Sequence, residues 1–293
     1  MSLISTKEML QDARARQYAV PMFDVCNYET MRGVVDAANE MNSPVMLAGL
    51  KPDLKGVGLD YFIAMAKVAA QNANVPVAIH LDHATSFDEC KRVIDAGFNS
   101  VMIDASSHSF TENVAKVKEV VNYAHQRGVT VEAELGHVPD AIAGTGEAAQ
   151  QGIEHKNPKE CLTQPTEVLK FVEQTNVDAL AIAIGTAHGS YVSTPKLEIE
   201  LLKEINAISP ACLVLHGGSG TPEGQIKAAV ANGITKVNVF TDILIAMFSE
   251  LKTGLNESDN MGKWPIFVYE KPILALQEVV KNKIITFNSQ NKS

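Results

Sequence analysis

The sequence predicts a (β/α)8 barrel folded as a single domain, and three observations carry that expectation. Eight short apolar runs recur along the 293 residues. Longer amphipathic segments bounded by helix caps separate them, so the hydrophobic period alternates between strand and helix. Polar and ionisable residues collect where the runs end, which is where barrel strands deliver side chains into a site.

The runs are YAVPMFDV (18–25), PVMLAG (44–49), PVAIHLD (76–82), SVMIDA (100–105), VTVEAELG (129–136), DALAIAIG (178–185), ACLVLHG (211–217) and ITKVNVF (234–240). Most are almost continuously apolar, as strands buried on both faces of a parallel sheet must be. Between them, Ser86 with Glu89 reads as a capping box before ECKRVIDAG, and Gly97 is its stop. Thr111 opens ENVAKVKEVVNYAHQRG, in which Val114, Val117, Val121 and Ala124 form one stripe and Gly128 ends the helix. Thr221 followed by Pro222 opens PEGQIKAAVANG, which ends at Gly233. Eight such alternations over about 250 residues fit a closed barrel, with a doubly wound open sheet as the alternative.

Two segments break the rhythm. Residues 137–165 form a long connection rich in Gly, Ala and Gln, expected to be a mobile, functional loop. Residues 256–293 read as a loop followed by helices that close the barrel, and they hold the sole tryptophan, Trp264, expected to serve packing.

Composition narrows the function. Apolar residues make up 46% and charged residues 20%, as in a globular domain, and no apolar run is long enough to span a bilayer. The N-terminal MSLISTKEMLQDARARQYAV lacks the apolar block of a signal peptide, so a cytoplasmic protein with no membrane partner is expected. A net charge of −9 without a basic run argues against nucleic acid. A small phosphorylated metabolite stays open, because backbone amides and a metal can hold phosphate. Four scattered cysteines without a CxxC pair indicate neither a disulfide framework nor a thiolate zinc site.

The third run ends VAIHLDH (77–83), which brings three groups that are expensive to bury to the end of a core strand. Asp82 and His83 stand there, with Asp104 and Ser106 after run four, Glu134 on five, His188 after six, His216 on seven, and Asn238 and Thr241 after eight. Three imidazoles from His83, His188 and His216 converging on one mouth, with a fourth position open, would make a catalytic zinc site. His80 is expected beneath them as a supporting partner, and His108, His125, His137 and His155 as ordinary hydrogen-bonded histidines. LHGGSG (215–220) and GTAHGSY (185–191) are loops whose glycines let backbone N–H groups approach an anion. Gly217, Gly218, Ser219, Asn238 and Thr241 are therefore phosphate candidates.

Taken together, HLDH, VEAELG, GTAHG, LHGGSG and KVNVFTD resemble the class II, metal-dependent ketose-bisphosphate aldolases. The likeness is nearest to the branch of tagatose-bisphosphate and class IIB fructose-bisphosphate aldolases, and it runs from about Val20 to Thr241. The resemblance implies His83, His188 and His216 as zinc ligands, Asp82 as proton donor and acceptor, and Glu134 as a ligand for an alternative, more buried metal position. It implies a dihydroxyacetone-phosphate site at Gly189, Gly217, Gly218, Ser219, Asn238 and Thr241, a monovalent cation (Na+ or K+) near the phosphate, and a homo-oligomer, dimer or tetramer. The implied reaction is reversible cleavage of a ketose 1,6-bisphosphate of the tagatose or fructose type, or a related ketose 1-phosphate, to dihydroxyacetone phosphate and an aldehyde.

Three departures go with the likeness. HVPDAIAGTGEAA stands where the family carries a glycine pair and adjacent acids, leaving Asp140, Glu147 and Glu154 as alternatives for the acid that exchanges the proton at the enediolate carbon. SSH replaces SH after run four and shifts His108, and MGKWPIF replaces an Asp-Pro-Arg before the final helices. An aldehyde product other than glyceraldehyde 3-phosphate is compatible with these changes. The rival readings are a zinc hydrolase on the same fold and a non-catalytic sugar-phosphate-binding protein.

Overall fold

Apolar runs of this length bury their backbone polar groups only by pairing with one another. In the computed structural model, which describes residues 4–141, 161–191, 193–257 and 262–293, they do so without leaving an edge. Strands β1 (Val20–Asp24), β2 (Val45–Gly49), β3 (Val77–Ala84), β4 (Ser100–Ile103), β5 (Thr130–Leu135), β6 (Ala179–Ile182), β7 (Cys212–Leu215) and β8 (Ile234–Val239) pair in sequence order. All pairs are parallel, and β8 returns to β1 with Asn238 opposite Met22. The closed barrel is the architecture, not the open sheet.

Eleven helices occur among the described residues. They are α1 (Thr6–Arg16), α2 (Tyr28–Glu40), α3 (Gly58–Asn72), α4 (Phe87–Ala96), α5 (Phe110–His125), α6 (Pro165–Thr175), α7 (Ile199–Ile208), α8 (Glu223–Ala231), α9 (Thr241–Asn256), α10 (Pro265–Val268) and α11 (Glu270–Thr286). None is long and apolar enough to cross a membrane. The N-terminal α1 lies across the bottom of the barrel. Its Met9, Leu10 and Ala13 join the interior cluster, and Arg14 donates to the carbonyls of Ser209 and Pro210 just ahead of β7. The C-terminal α11 packs against α2 and α9.

Caps refine the expected helix starts. Ser86 accepts the Glu89 N–H as foreseen, but the reciprocal half of that box is absent. The Glu89 carboxylate instead accepts from the Thr85 N–H at 2.8 Å and pairs with Lys51. Helix α5 begins ahead of Thr111: Ser109 and Glu112 form the reciprocal box, and the S-x-x-E spacing was the stronger signal. Pro222 precedes the first residue of α8 rather than occupying it.

Successive side chains of a strand point to opposite faces, and this period of two sorts the barrel. Phe23, Leu47, Ile79, Val101, Val131, Leu180, Leu213 and Val237 face outward into the layer shared with the helices. Val20, Met22, Met46, Ala48, Ala78, Met102, Ala179, Ala181, Cys212 and Val214 fill the interior. Continuing that inward register toward the strand ends reaches Asp82 on β3, Glu132 and Glu134 on β5, His216 beyond β7, and Lys236 and Asn238 on β8. All six are buried. The four cysteines form no disulfide, and three of them are buried.

Candidate active site and metal centre

Neighbouring residues on a regular strand cannot both face the axis, yet Asp82 and His83 are adjacent. The pairing of β3 with β4 slips between Leu81 and Ala84, and His83 adopts φ +49°. A bulge of this kind re-aims a side chain, and a left-handed non-glycine residue costs roughly 1–2 kcal/mol. The slip lets acid and imidazole reach the same place.

His83, His188 and His216 meet there. Their ligand atoms all lie within 4.8 Å of one another, and all three residues are buried. His216 Nδ1 is 2.9 Å from His83 Nε2 and 3.4 Å from His188 Nε2. Ligand atoms about 2.0–2.1 Å from a tetrahedral zinc would stand about 3.4 Å apart, so the residues present fit the ion. The rings stand nearly edge to face, with centroids 4.7–5.6 Å apart. Burial pushes His216 down to about 4, although its hydrogen bond to Glu132 opposes the shift, so at neutral pH the ring is uncharged, the form a metal ligand requires. His188 is held by backbone: its N–H donates to the Pro139 carbonyl and its carbonyl accepts from the Ala141 N–H, each at 2.8 Å.

A second cluster adjoins the first. His83, Asp104 and Glu134 also bring three ligand atoms within 4.8 Å of one another. His83 Nδ1 lies 3.1 Å from Asp104 Oδ2, and Ser106 donates to Asp104 Oδ1 at 2.7 Å. Burial raises the Asp104 carboxyl, but His83 and Ser106 outweigh it and hold the group well below the usual carboxylate range. Burial and the Asp104 charge push Glu134 the other way, well above it. Glu134 Oε1 accepts the Val138 N–H at 2.9 Å, while its buried Oε2 has no hydrogen-bond partner among the described residues. A buried oxygen without a hydrogen bond, beside two potential ligands, fits an ion position.

Asp82 lies beside the triad with both oxygens facing Asn238, whose Nδ2 is 3.3 and 3.4 Å away. The Asn238 side chain is in the barrel interior, its Nδ2 also 3.2 Å from His216 Nε2, while its carbonyl meets the glycine loop at the Gly218 N–H. His80 sits one layer deeper as expected, 2.7 Å from Ser100 Oγ and 3.9 Å from Asp82.

The remaining phosphate candidates line the β7 and β8 loops. Gly217 takes φ +69°, and Gly218 donates its N–H to the Asn238 carbonyl. Ser219 Oγ accepts N–H groups from Phe240 and Asp242 at 3.2 Å, tying the two loops together at the start of α9, where Thr241 is the first residue. Gly189, at φ +82°, follows His188, and Tyr191 donates to the Gly217 carbonyl at 3.0 Å. Asp242 lies at the same rim, paired with Lys283 at 2.6 Å.

Sequence reasoning missed three groups and misjudged one. Asp104 was noted at a strand end but given no role, and Glu132 and Lys236 were passed over although each sits two residues from a site residue on the same strand. Lys236 Nζ is 2.8 Å from Glu132 Oε2, and Glu132 Oε1 is 2.9 Å from His216 Nε2. His137, read as an ordinary histidine, stands at the site edge, 2.9 Å from Ser106 Oγ and 3.6 Å from Glu134. His125 does bond Asp178, at 2.8 Å. Of the loop acids, Asp140 is buried and bridged to His188, while Glu147, Glu154 and His155 lie outside the described residues.

The profile of the family described as class II fructose-bisphosphate aldolase matches residues 4–292. The crystal structure of the YdjI aldolase from Escherichia coli K12 is 32% identical, with 99% of this chain and 98% of that one covered at a TM-score of 0.85. A chain from Coccidioides immitis is 29% identical at a TM-score of 0.84, covering 98% and 96%. The fructose-bisphosphate aldolase of Campylobacter jejuni shares the fold at 22% identity and a TM-score of 0.81, covering 100% and 97%. With the match spanning nearly its whole length, the chain belongs to the class II fructose-bisphosphate aldolase family, whose enzymes are carbon–carbon lyases.

Proposed function

We propose that this enzyme is a zinc-dependent aldolase that reversibly cleaves a ketose 1,6-bisphosphate of the tagatose or fructose type, or a related ketose 1-phosphate, to dihydroxyacetone phosphate and an aldehyde. The observation that carries the reading is the convergence of three imidazoles beside one carboxylate at the barrel mouth. Zinc held by His83, His188 and His216 would supply Lewis-acid polarisation of the substrate carbonyl, with Asp104 and Glu134 offering it a second position beside His83.

The chain's own groups divide the rest. In cleavage, the Asp82 carboxylate takes the proton of the C4 hydroxyl as the C3–C4 bond breaks and the new aldehyde forms. In condensation it returns that proton to the aldehyde oxygen. Asn238 keeps both carboxylate oxygens oriented through its amide N–H groups. The electron pair left by the C3–C4 bond is taken up at C3 by a proton from an acid of the 137–165 loop, for which Asp140, bridged to the His188 backbone, stands beside Glu147 and Glu154 as an alternative. The glycine turns at 189 and 217–218, with Ser219 and Thr241 at the start of α9, suit the substrate phosphate because backbone N–H groups and a helix N-terminus favour an anion. A sodium or potassium ion beside that phosphate completes the reading.

A homo-oligomer is also proposed. Ile245, Phe248 and Leu255 are exposed on α9, and Ile266, Phe267 and Trp264, the last 76% exposed, crowd in and beside α10. The two helices touch, and exposed apolar side chains gathered on adjoining helices are suited to docking a second copy. Trp264 therefore supports association rather than the internal packing expected of it.

The test is to load the chain with zinc, incubate it with a panel of ketose 1-phosphates and 1,6-bisphosphates, and measure dihydroxyacetone phosphate. Production from at least one ketose is expected. No product from any of them, with zinc bound, rejects the reading.

A further inference from the structure

Among the described residues, the fully buried lysine is Lys236, inside a barrel whose other middle-layer positions are mostly Met, Ala, Val and Cys. Its partner Glu132 is 2% exposed, and His216 is not exposed at all. Three buried ionisable groups from β5, the end of β7 and β8 thus form one line: Lys236 Nζ to Glu132 Oε2 at 2.8 Å, then Glu132 Oε1 to His216 Nε2 at 2.9 Å. The other nitrogen of the same ring, Nδ1, faces His83 and His188.

The bland reading is an ion pair that fills the barrel. Stability alone does not account for it, because replacing a buried pair by apolar residues of similar volume is often neutral or stabilising. Such residues already fill Ala179, Cys212 and Val214 on the strands between Glu132 and Lys236. What an apolar pair could not do is end on the ring of His216. An acceptor on Nε2 fixes the hydrogen there and leaves the Nδ1 lone pair for the triad.

We propose that Lys236 is a positioning residue for the metal ligand His216, acting through Glu132: the ammonium fixes the carboxylate, and the carboxylate fixes the ring's rotation and tautomer. This rests on the metal-site assignment within the proposed function and not on the substrate assigned to it. Among the described residues Lys236 makes no hydrogen bond or ion pair to the imidazole triad or Asp82, so beyond the direct effect of its charge on His216 its hold on the ring's orientation passes through Glu132. The carboxylate needs its cation to hold one orientation, since without it Oε2 turns toward another donor of the same layer. Then Oε1 no longer fixes Nε2.

The experiment compares the full-length chain with Lys236→Met, Glu132→Gln and the double variant. Zinc affinity is measured by chelator competition, the visible spectrum of the cobalt(II)-loaded chain reports ligand geometry, and thermal unfolding of the metal-free chain reports stability. Supporting partners of this kind change metal affinity by about 10–100-fold. Lys236→Met is expected to weaken zinc binding within that range and to shift the cobalt spectrum. In the Glu132→Gln background, the same change is expected to add little, because the link is already cut.

A folded Lys236→Met chain with wild-type zinc affinity and an unchanged cobalt spectrum overturns the proposal, even if it melts earlier. If Lys236→Met does not fold, the double variant decides, since it leaves no unpaired buried charge. Weakened affinity in it supports the role, and wild-type affinity overturns it. Wild-type chain that binds zinc but releases no dihydroxyacetone phosphate defeats the proposed substrate alone, whereas wild-type chain that takes up no zinc defeats both.

Discussion

Two glycines with the same backbone angle make a controlled experiment on how the β6 and β7 loops hold each other. Gly217 and Gly128 both have φ +69°. A Cβ at Gly128 meets nothing within 4 Å, whereas one at Gly217 meets the Ala187 carbonyl oxygen at 2.4 Å. Alanine at either position carries the strain of a left-handed residue, roughly 1–2 kcal/mol, partly offset by a stiffer unfolded chain. Gly128→Ala should therefore lower stability by about 1 kcal/mol and leave the site intact.

At Gly217 the overlap is with backbone, about 1 Å inside an ordinary contact, and it falls between residues adjoining His188 and His216. Forced overpacking of this kind adds roughly 1–3 kcal/mol. Gly217→Ala should thus lose about 2–4 kcal/mol, and the relieving shift should move His188 and His216 away from each other. Urea unfolding of the metal-free chains measures the first effect and chelator competition the second, where a fall of at least about 10-fold is expected. If Gly217→Ala matches Gly128→Ala in both assays, the loops are not in the contact described and the reasoning fails.

Asp82→Ala should keep zinc and lower kcat by about 10²–10⁴, as loss of a positioned general base does; wild-type turnover would remove Asp82 from the mechanism. Stripping zinc with a chelator should abolish ketose cleavage and lower the melting temperature, since a ligand at about 100 times its Kd stabilises by about 2.7 kcal/mol. An unchanged melting temperature on stripping would mean that the triad holds no ion. Replacing Phe248 and Phe267 with lysine should reduce the sedimenting mass to that of one chain, and wild-type mass would move the interface elsewhere.

Much of this was legible before any coordinates. The eight strands were readable because a strand covered on both faces has to be apolar almost throughout, and the triad was readable because histidine at three such ends is costly without a common purpose. What escaped was whatever depended on alternation inside a strand. Glu132 lies two residues before Glu134, and Lys236 two before Asn238, so each shares its neighbour's inward face; attention to strand ends passed over them. Asp104 escaped for another reason, because its place beside His83 is set by the pairing of β4 with β3 and not by spacing along the chain, whereas His137 stands only three residues beyond Glu134. The start read at Thr111 missed the S-x-x-E box of Ser109 and Glu112, whose reciprocal bonds cap α5.

The slipped register at the end of β3 makes segment length, as much as residue identity, a protected quantity there. Deleting one residue between Leu81 and Ala84 would restore a regular strand and turn either the acid or the imidazole out toward the helices, with little change in composition. An insertion or deletion in this segment should silence the enzyme as surely as loss of the Asp82 or His83 side chain. Transplanting HLDH into another barrel would carry the letters without the chemistry unless the extra residue travelled with them.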